Sequence, residues 1–296
     1  MEERKTARFR RLLKEKDFLL IPGAFNALSA RLIEQAGFEA VYVSGAAVAG
    51  NFVGVPDIGL TTLTEVLENA RNIVSATGLP VLCDADTGFG NAINMLRTVR
   101  EFENAGVAGI QIEDQVMPKK CGHTEGKLLI SREEMVQKIR AAVDARRDPD
   151  FTLVVRTDAI AVTGLEDALE RAQAYRDAGG DVLFVEAPRT VEEMRRITRT
   201  VKGLHLANMV EGGGKTPILP PAELKEMGYR MAIYPVSAWM ASIKAIQEVL
   251  AALREEGTTA RFAPRMVSFR EMFEVVGRSA YESLEKKYAG PAGEGG

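Results

Sequence analysis

The sequence predicts a closed (β/α)8 TIM barrel with additional C-terminal helices, and three observations carry that expectation. Short runs rich in Val, Ile and Leu alternate with longer segments of helical period. The cycle repeats eight times with no linker, which in one parallel sheet implies closure. No Gly-x-Gly-x-x-Gly turn follows the first run, so the signature of an open, doubly wound nucleotide-binding sheet is missing.

Taken in order, residues 1–16 form a charged, helix-like run without the apolar centre of a signal peptide. Strands are expected at 19–22, 40–44, 81–86, 109–113, 152–157, 182–186, 205–209 and 231–234. Helices are expected at 27–36, 62–77, 92–105, 132–145, 165–178, 191–201, 221–227 and 238–256. Four of them finish at a glycine suited to a left-handed cap: Gly37, Gly106, Gly179 and Gly228. Two further amphipathic segments, 268–276 and 280–288, come after the barrel is complete and must pack outside it or on another subunit. Residues 1–290 are therefore read as one domain and 291–296 as a disordered tail.

Composition removes several classes of function. The 296 residues carry a net charge of −3 and no basic stripe interleaved with aromatics, so nucleic acid is not an expected partner. No run is long and apolar enough to span a bilayer. Two cysteines do not build a disulfide framework, and a reducing cytoplasm is the expected compartment. The stretch Asn208 to Pro217 ends in Gly-Gly-Gly-Lys-Thr-Pro but lacks the spacing of a P-loop, so ATP is not inferred.

The functional argument is positional, because barrel active sites lie at the C-terminal ends of the strands. Those ends carry Ser44, Asp84, Asp86, Glu113, Arg156, Asp158, Glu186, Asn208 and Tyr234. Asp84 and Asp86, two residues apart on an extended chain, share a face, as do Gln111 with Glu113 and Arg156 with Asp158. Several carboxylates aimed at one mouth repel one another, and a divalent cation relieves this. Oxygen donors favour Mg²⁺, with Mn²⁺ the alternative, so Asp84, Asp86 and Glu113 are the expected metal ligands. Arg156 suits a bidentate grip on a substrate carboxylate. Ser44, Gly45 and Ala46, small residues after the second strand, suit a backbone cradle for an anion. Cys83 alternates away from Asp84 toward the core. His205 opens its strand far from the mouth, and Trp239 is read as packing.

The segment Lys119-Lys120-Cys121-Gly122-His123 follows the fourth strand and holds one of the two cysteines and one of the two histidines. Its lysines are expected to stabilise a thiolate at Cys121, and its glycines to leave a mobile, solvent-touching loop.

Together, Asp84-Ala-Asp86-Thr-Gly-Phe-Gly90, Ile112-Glu-Asp-Gln115, the Lys-Lys-Cys-Gly-His loop, Arg156-Thr-Asp158, Phe184-Val-Glu-Ala187 and Asn208-Met-Val-Glu-Gly-Gly resemble the isocitrate lyase / phosphoenolpyruvate mutase superfamily. The likeness runs from about residue 9 to 288. It implies a Mg²⁺-dependent barrel, a homotetramer, and a small-molecule carboxylate as substrate. Members that split carbon–carbon bonds carry the loop cysteine. The expected reaction is therefore cleavage of a 2-methylisocitrate or 2,3-dimethylmalate type of substrate to an α-keto acid such as pyruvate and a second carboxylate. Carboxyphosphonoenolpyruvate phosphonomutases keep a similar loop and are the alternative, favoured by Gly212 and Gly213 where methylisocitrate lyases usually place an aromatic. Oxaloacetate decarboxylation fits less well, since enzymes performing it generally lack the cysteine. Within this scheme Cys121 protonates the carbanion and Tyr42 is the candidate base. Arg156, His123 and Asn208 stabilise the charge that develops, Glu186 shapes the pocket, and Gly122 and Glu211 complete the substrate site.

Overall fold

A computed structural model describes residues 3–289; the expected tail, 291–296, lies outside the described residues. The chain divides into two compact units, Met1–Met240 and Ala241–Gly296.

The first unit is a closed barrel of eight parallel strands in sequential order. Helix α1 (Lys5–Glu15) precedes β1 (Leu19–Ala24), α2 (Ala27–Gln35) and β2 (Val41–Val43). A short helical turn, α3 (Gly45–Ala47), runs into a π-helical turn at Val48–Val53 before α4 (Leu63–Ala76). The cycle continues through β3 (Val81–Asp84), α5 (Ala92–Asn104), β4 (Gly109–Glu113), α6 (Arg132–Ala145), β5 (Thr152–Thr157) and α7 (Leu165–Asp177). It closes with β6 (Val182–Val185), α8 (Val191–Thr200), β7 (Leu204–Asn208), α9 (Pro221–Glu226) and β8 (Met231–Tyr234). Strand β1 pairs with β8 from Leu19↔Met231 to Pro22↔Tyr234, which shuts the ring.

Two apolar layers result from the alternation of side chains. Inward residues such as Ile21, Tyr42, Leu82, Val154, Phe184, Leu206 and Ile233 fill the barrel, and Phe9, Leu12 and Leu13 of α1 join the same cluster. Burying such side chains contributes about 1.5–3 kcal/mol each. Arg10 of α1 also donates to the carbonyls of Asp150 and Phe151, at the N-terminal end of β5. Helix α1 thus plugs the N-terminal mouth, and the C-terminal mouth is left for chemistry. Outward residues pack beneath the helices, Cys83 among them. His205 Nε2 lies 2.7 Å from the Val201 carbonyl, at the N-terminal end of its strand and away from the mouth, and the Trp239 ring packs against Gly50.

Helix α10 (Ser237–Glu256) carries the chain out of the first unit. The second unit comprises the rest of α10, α11 (Phe269–Val275) and α12 (Arg278–Tyr288). Ser268 caps α11 reciprocally with Glu271. No described helix is long and apolar enough to cross a membrane.

Candidate active site

The site forms where the strands end. Ser44 caps the helical turn Gly45–Ala47, its hydroxyl accepting from the Ala47 N–H at 3.5 Å. Gly45 donates its N–H to Asp84 Oδ2 at 3.2 Å. A Cβ at Gly45 would stand 2.9 Å from Asp84 Oδ2 and 3.0 Å from Asp86 Oδ1, so the two carboxylates converge on a backbone that only glycine leaves open. Asp86 sits in the left-handed region at φ 47°, which turns the chain after β3. Its N–H donates to Asp84 Oδ1 at 3.0 Å.

Tyr42 bears on the same group. Its buried hydroxyl donates to Gln111 Oε1 at 2.8 Å, and Gln111 Nε2 donates to Asp84 Oδ1 at 3.2 Å. Burial, reinforced by Asp84, pushes the phenol well above its ordinary pKa. A phenol held protonated orients Gln111 against Asp84 and does not suit a general base, which corrects the role expected of Tyr42.

Six carboxylates surround the mouth: Asp57, Asp84, Asp86, Glu113, Asp158 and Glu186. Three fixed cations, Lys119, Lys127 and Arg156, face them. The Arg156 guanidinium is shared among Asp158 (Nε to Oδ2, 2.9 Å), Glu113 (Nε to Oε2, 3.3 Å) and Glu186 (Nη1 to Oε2, 3.3 Å). Lys119 Nζ lies 2.5 Å from Asp57 and 2.7 Å from Asp86. Negative charge remains in excess, and the carboxyl groups register it. Burial and then Asp86 raise Asp84 to about 6. Burial also carries Glu113 well above the usual carboxylate range, against the pull of Arg156. Asp86 Oδ1 and Glu113 Oε2 are buried without a hydrogen bond of proper geometry.

The expected three-carboxylate cluster is not assembled. Among the described residues no group of three or more His, Cys, Asp or Glu stands at metal-binding spacing. Glu113 turns away, accepting from Gln115 Nε2 at 2.9 Å and facing Arg156. The close pair Asp84 and Asp86, rich in oxygen donors and ion-paired through Asp86 to Lys119, is what fits a hard cation.

The loop after β4 differs from the expected open segment. Its base is fastened by Val116 N–H to Leu128 O (2.8 Å) and Ile130 N–H to Asp114 O (3.0 Å). Gln115 clamps the Lys120 backbone through both halves of its amide, at 2.8 and 2.9 Å. Lys119 and Lys127 are 3 % and 5 % exposed. Burial raises the Cys121 thiol above its ordinary value, and the His123 N–H and Arg156 offset this only in part. The flanking lysines do not overcome this burial: Lys119 is paired with Asp57 and Asp86, and Lys120 is exposed. Cys121 is held as a protonated thiol.

Gly122 lies over the cluster. A Cβ there would come 2.4 Å from Arg156 Nη2 and 2.8 Å from Glu186 Cδ. Gly122→Ala is expected to keep the loop off the mouth and lower kcat/KM about a hundredfold, since displacement of about 1 Å costs that much. The melting temperature should barely move. Steady-state kinetics with thermal unfolding would check this, and turnover near wild type would refute it. Beside Gly122, His123 Nδ1 accepts the Lys215 N–H at 2.9 Å, so the neutral ring carries its proton on Nε2, 3.3 Å from Glu186 Oε1. Burial lowers the His123 pKa. Asn208 Nδ2 donates to Glu186 Oε2 at 3.1 Å, while its Oδ1 has no partner. Glu211 is separate from this cluster: it accepts from Ser237 Oγ.

Sequence reasoning missed Asp57 and did not single out Lys119. The available signal was Val55-Pro56-Asp57, an acid in the loop after β2 and so on the same mouth.

Comparisons with known proteins bear on the fold and the family. The family model described as phosphoenolpyruvate phosphomutase matches residues 9–254. The chain is 49% identical to 2,3-dimethylmalate lyase of Eubacterium barkeri over 283 residues, covering 96% of this chain and 98% of that protein. It is 47% identical to 2-methylisocitrate lyase of Aeropyrum pernix over 285 residues, covering 96% and 91%. A crystal structure of 2,3-dimethylmalate lyase superposes with a TM-score of 0.92 at 36% identity, covering 100% of this chain and 99% of that one. Phosphonopyruvate hydrolase, crystallised with oxalate and Mg²⁺, superposes with a TM-score of 0.87 at 31% identity, covering 97% and 99%.

Proposed function

This chain belongs to the phosphoenolpyruvate mutase family, and from that premise we propose that it is a carbon–carbon lyase dependent on Mg²⁺ or Mn²⁺. Its substrate would be a substituted 2-hydroxy di- or tricarboxylate of the 2,3-dimethylmalate or 2-methylisocitrate type. The products would be an α-keto acid, pyruvate in the first instance, and a second carboxylate. The observation that carries this reading is the Cys121 loop, whose Gly122 is seated against Arg156 and Glu186 over a mouth crowded with buried carboxylates.

Asp84 and Asp86 would hold the cation. Bound there, it supplies positive charge that lowers the pKa of a substrate hydroxyl and steadies the oxyanion. Ser44 and the backbone of Gly45 and Ala46, at the start of a helical turn, would receive the carboxylate that remains on the keto acid. Arg156 would orient the second carboxylate, with Glu186 fixing the guanidinium and Asn208 and His123 donating to the charge that develops. A carboxylate of the mouth would take the proton of the substrate hydroxyl, Cys121 would deliver its own to the carbon left behind, and Gly122 would let the loop exclude water meanwhile.

The test is keto-acid release by purified protein from 2,3-dimethylmalate and from 2-methylisocitrate, read through lactate dehydrogenase. Turnover of either supports the reading. Silence with both, together with phosphinate formation from carboxyphosphonoenolpyruvate, would replace it with the phosphonomutase alternative.

The proposal extends to a homotetramer in the cytoplasm. Leu250, Phe269 and Tyr281 are 57%, 75% and 64% exposed, a density of apolar surface that suits burial by another subunit.

A further inference from the structure

We propose that Lys127 is a positioning residue, a latch that holds the Cys121–Gly122–His123 segment on the mouth by bridging the Gly122 carbonyl to Asp158. Its Nζ donates to Gly122 O and, at 2.8 Å, to Asp158 Oδ1. The side chain is 1 % exposed. Lysine follows Gly126 in a loop and has water within reach once that loop lifts. Its burial therefore depends on where the loop sits. Taking an ammonium out of water costs several kcal/mol unless charge and hydrogen bonds replace the solvent. Asp158 and the Gly122 carbonyl are the replacements. Lifting the loop would return Lys127 to water while Asp158 kept Arg156, at 2.9 and 3.0 Å. Neither position strands a charge, which is what a two-position lid requires.

The anchor beneath the latch is rigid. The Asp158 N–H donates to Asp114 Oδ1 at 3.0 Å. Asp114 is itself fully buried and accepts from Thr157 Oγ1, the Tyr175 hydroxyl and Arg171 Nη1 at 2.7, 2.7 and 3.2 Å. Asp158 also orients Arg156, the guanidinium directly under Gly122. One carboxylate thus fixes both the lid and the substrate-gripping arginine, so closure and the aim of Arg156 are linked. Two of the three Lys127 N–H donors are committed to a carbonyl and a carboxylate, so the ammonium acts through the loop and Arg156.

The inference rests on the reading of this loop as the lid of a lyase, and its test separates the two. In substrate-free protein, Lys127→Met is expected to raise the rate of Cys121 alkylation by iodoacetamide about tenfold or more, with Cys83 unreactive as an internal control. Hydrogen exchange should quicken across 117–127 and stay slow in the barrel strands. The variant should lose kcat by about 10- to 100-fold, and Lys127→Arg should recover part of both effects. If Lys127→Met fails to fold, amine acetylation of the wild-type protein decides the matter. Lys127 should label far more slowly than exposed Lys120. Unchanged alkylation and exchange in a folded Lys127→Met, or wild-type labelling of Lys127 as fast as Lys120, would overturn the latch. Alkylation, exchange and acetylation need no turnover, so silence with both 2,3-dimethylmalate and 2-methylisocitrate would sink the lyase reading and leave the latch standing.

Discussion

Cys121→Ser is expected to lower kcat by about a thousandfold, within the range a positioned general acid contributes, while the melting temperature shifts by no more than about 2 °C. Serine keeps the shape of the loop but offers a proton of much higher pKa, so the loss should fall on kcat with little change in KM. The pH profile separates a general acid from a nucleophile. Burial raises the thiol from 9.0, and an acid works only below its pKa. Activity controlled by Cys121 should therefore hold across pH 7–9 and fall only above that interval. A nucleophilic thiolate would show the opposite slope, gaining over that interval. Undiminished turnover in Cys121→Ser would remove the thiol from the mechanism.

The barrel was legible because each of its signals is local. Residues 109–113, 152–157 and 231–234 read as strands with the bounds the structure gives, and the remaining strands differ by one or two residues at an end. A buried parallel strand is a continuous apolar run that stops where polar residues begin, so its end is written in its own composition. The conformation after Ser44 was not legible. The chain caps a helical turn there and continues into a π-helical one at Val48–Val53, a departure that no period of 2 or 3.6 announces.

The site was legible as positions but not as pairings. Asp84, Asp86, Glu113, Arg156, Glu186 and Asn208 all reach the mouth. Which cation meets which carboxylate depends on contacts such as Lys119 with Asp57 and Lys127 with Asp158, between residues far apart in the chain. That is why Lys119 read as a loop charge when it is buried between Asp57 and Asp86. Tyr42 stands where a base would, yet full burial and Gln111 keep its proton on. The thiolate expected of a lysine-flanked cysteine failed for a related reason: Lys119 is paired with Asp57 and Asp86, exposed Lys120 is in solvent, and burial acts on the thiol itself.

Chelation of divalent ions is expected to abolish turnover, and Mg²⁺ to restore it, because the mouth holds more carboxylate than Lys119, Lys127 and Arg156 can balance. A sharper consequence lies in proton release. In the ion-free protein Asp84 titrates near 6, against an ordinary value of 3.8. At pH 6 it is about half protonated, and a cation that requires the ionised form should expel about half a proton from this group on binding, falling close to none at pH 8. Calorimetry in buffers of different ionisation enthalpy reads this directly. The same shift has a signed effect on stability. A carboxyl whose folded pKa lies above its unfolded one is penalised where it is ionised. As pH falls from 7 toward 4 the ion-free protein sheds that penalty, on the order of 3 kcal/mol from Asp84 at most, and acidification across this window favours the fold through this group. The ion-loaded protein has no such penalty to shed and should instead lose affinity for its ion over the same interval. Full turnover after chelation, or equal proton release at pH 6 and pH 8, would mean that Asp84 and Asp86 do not share a cation.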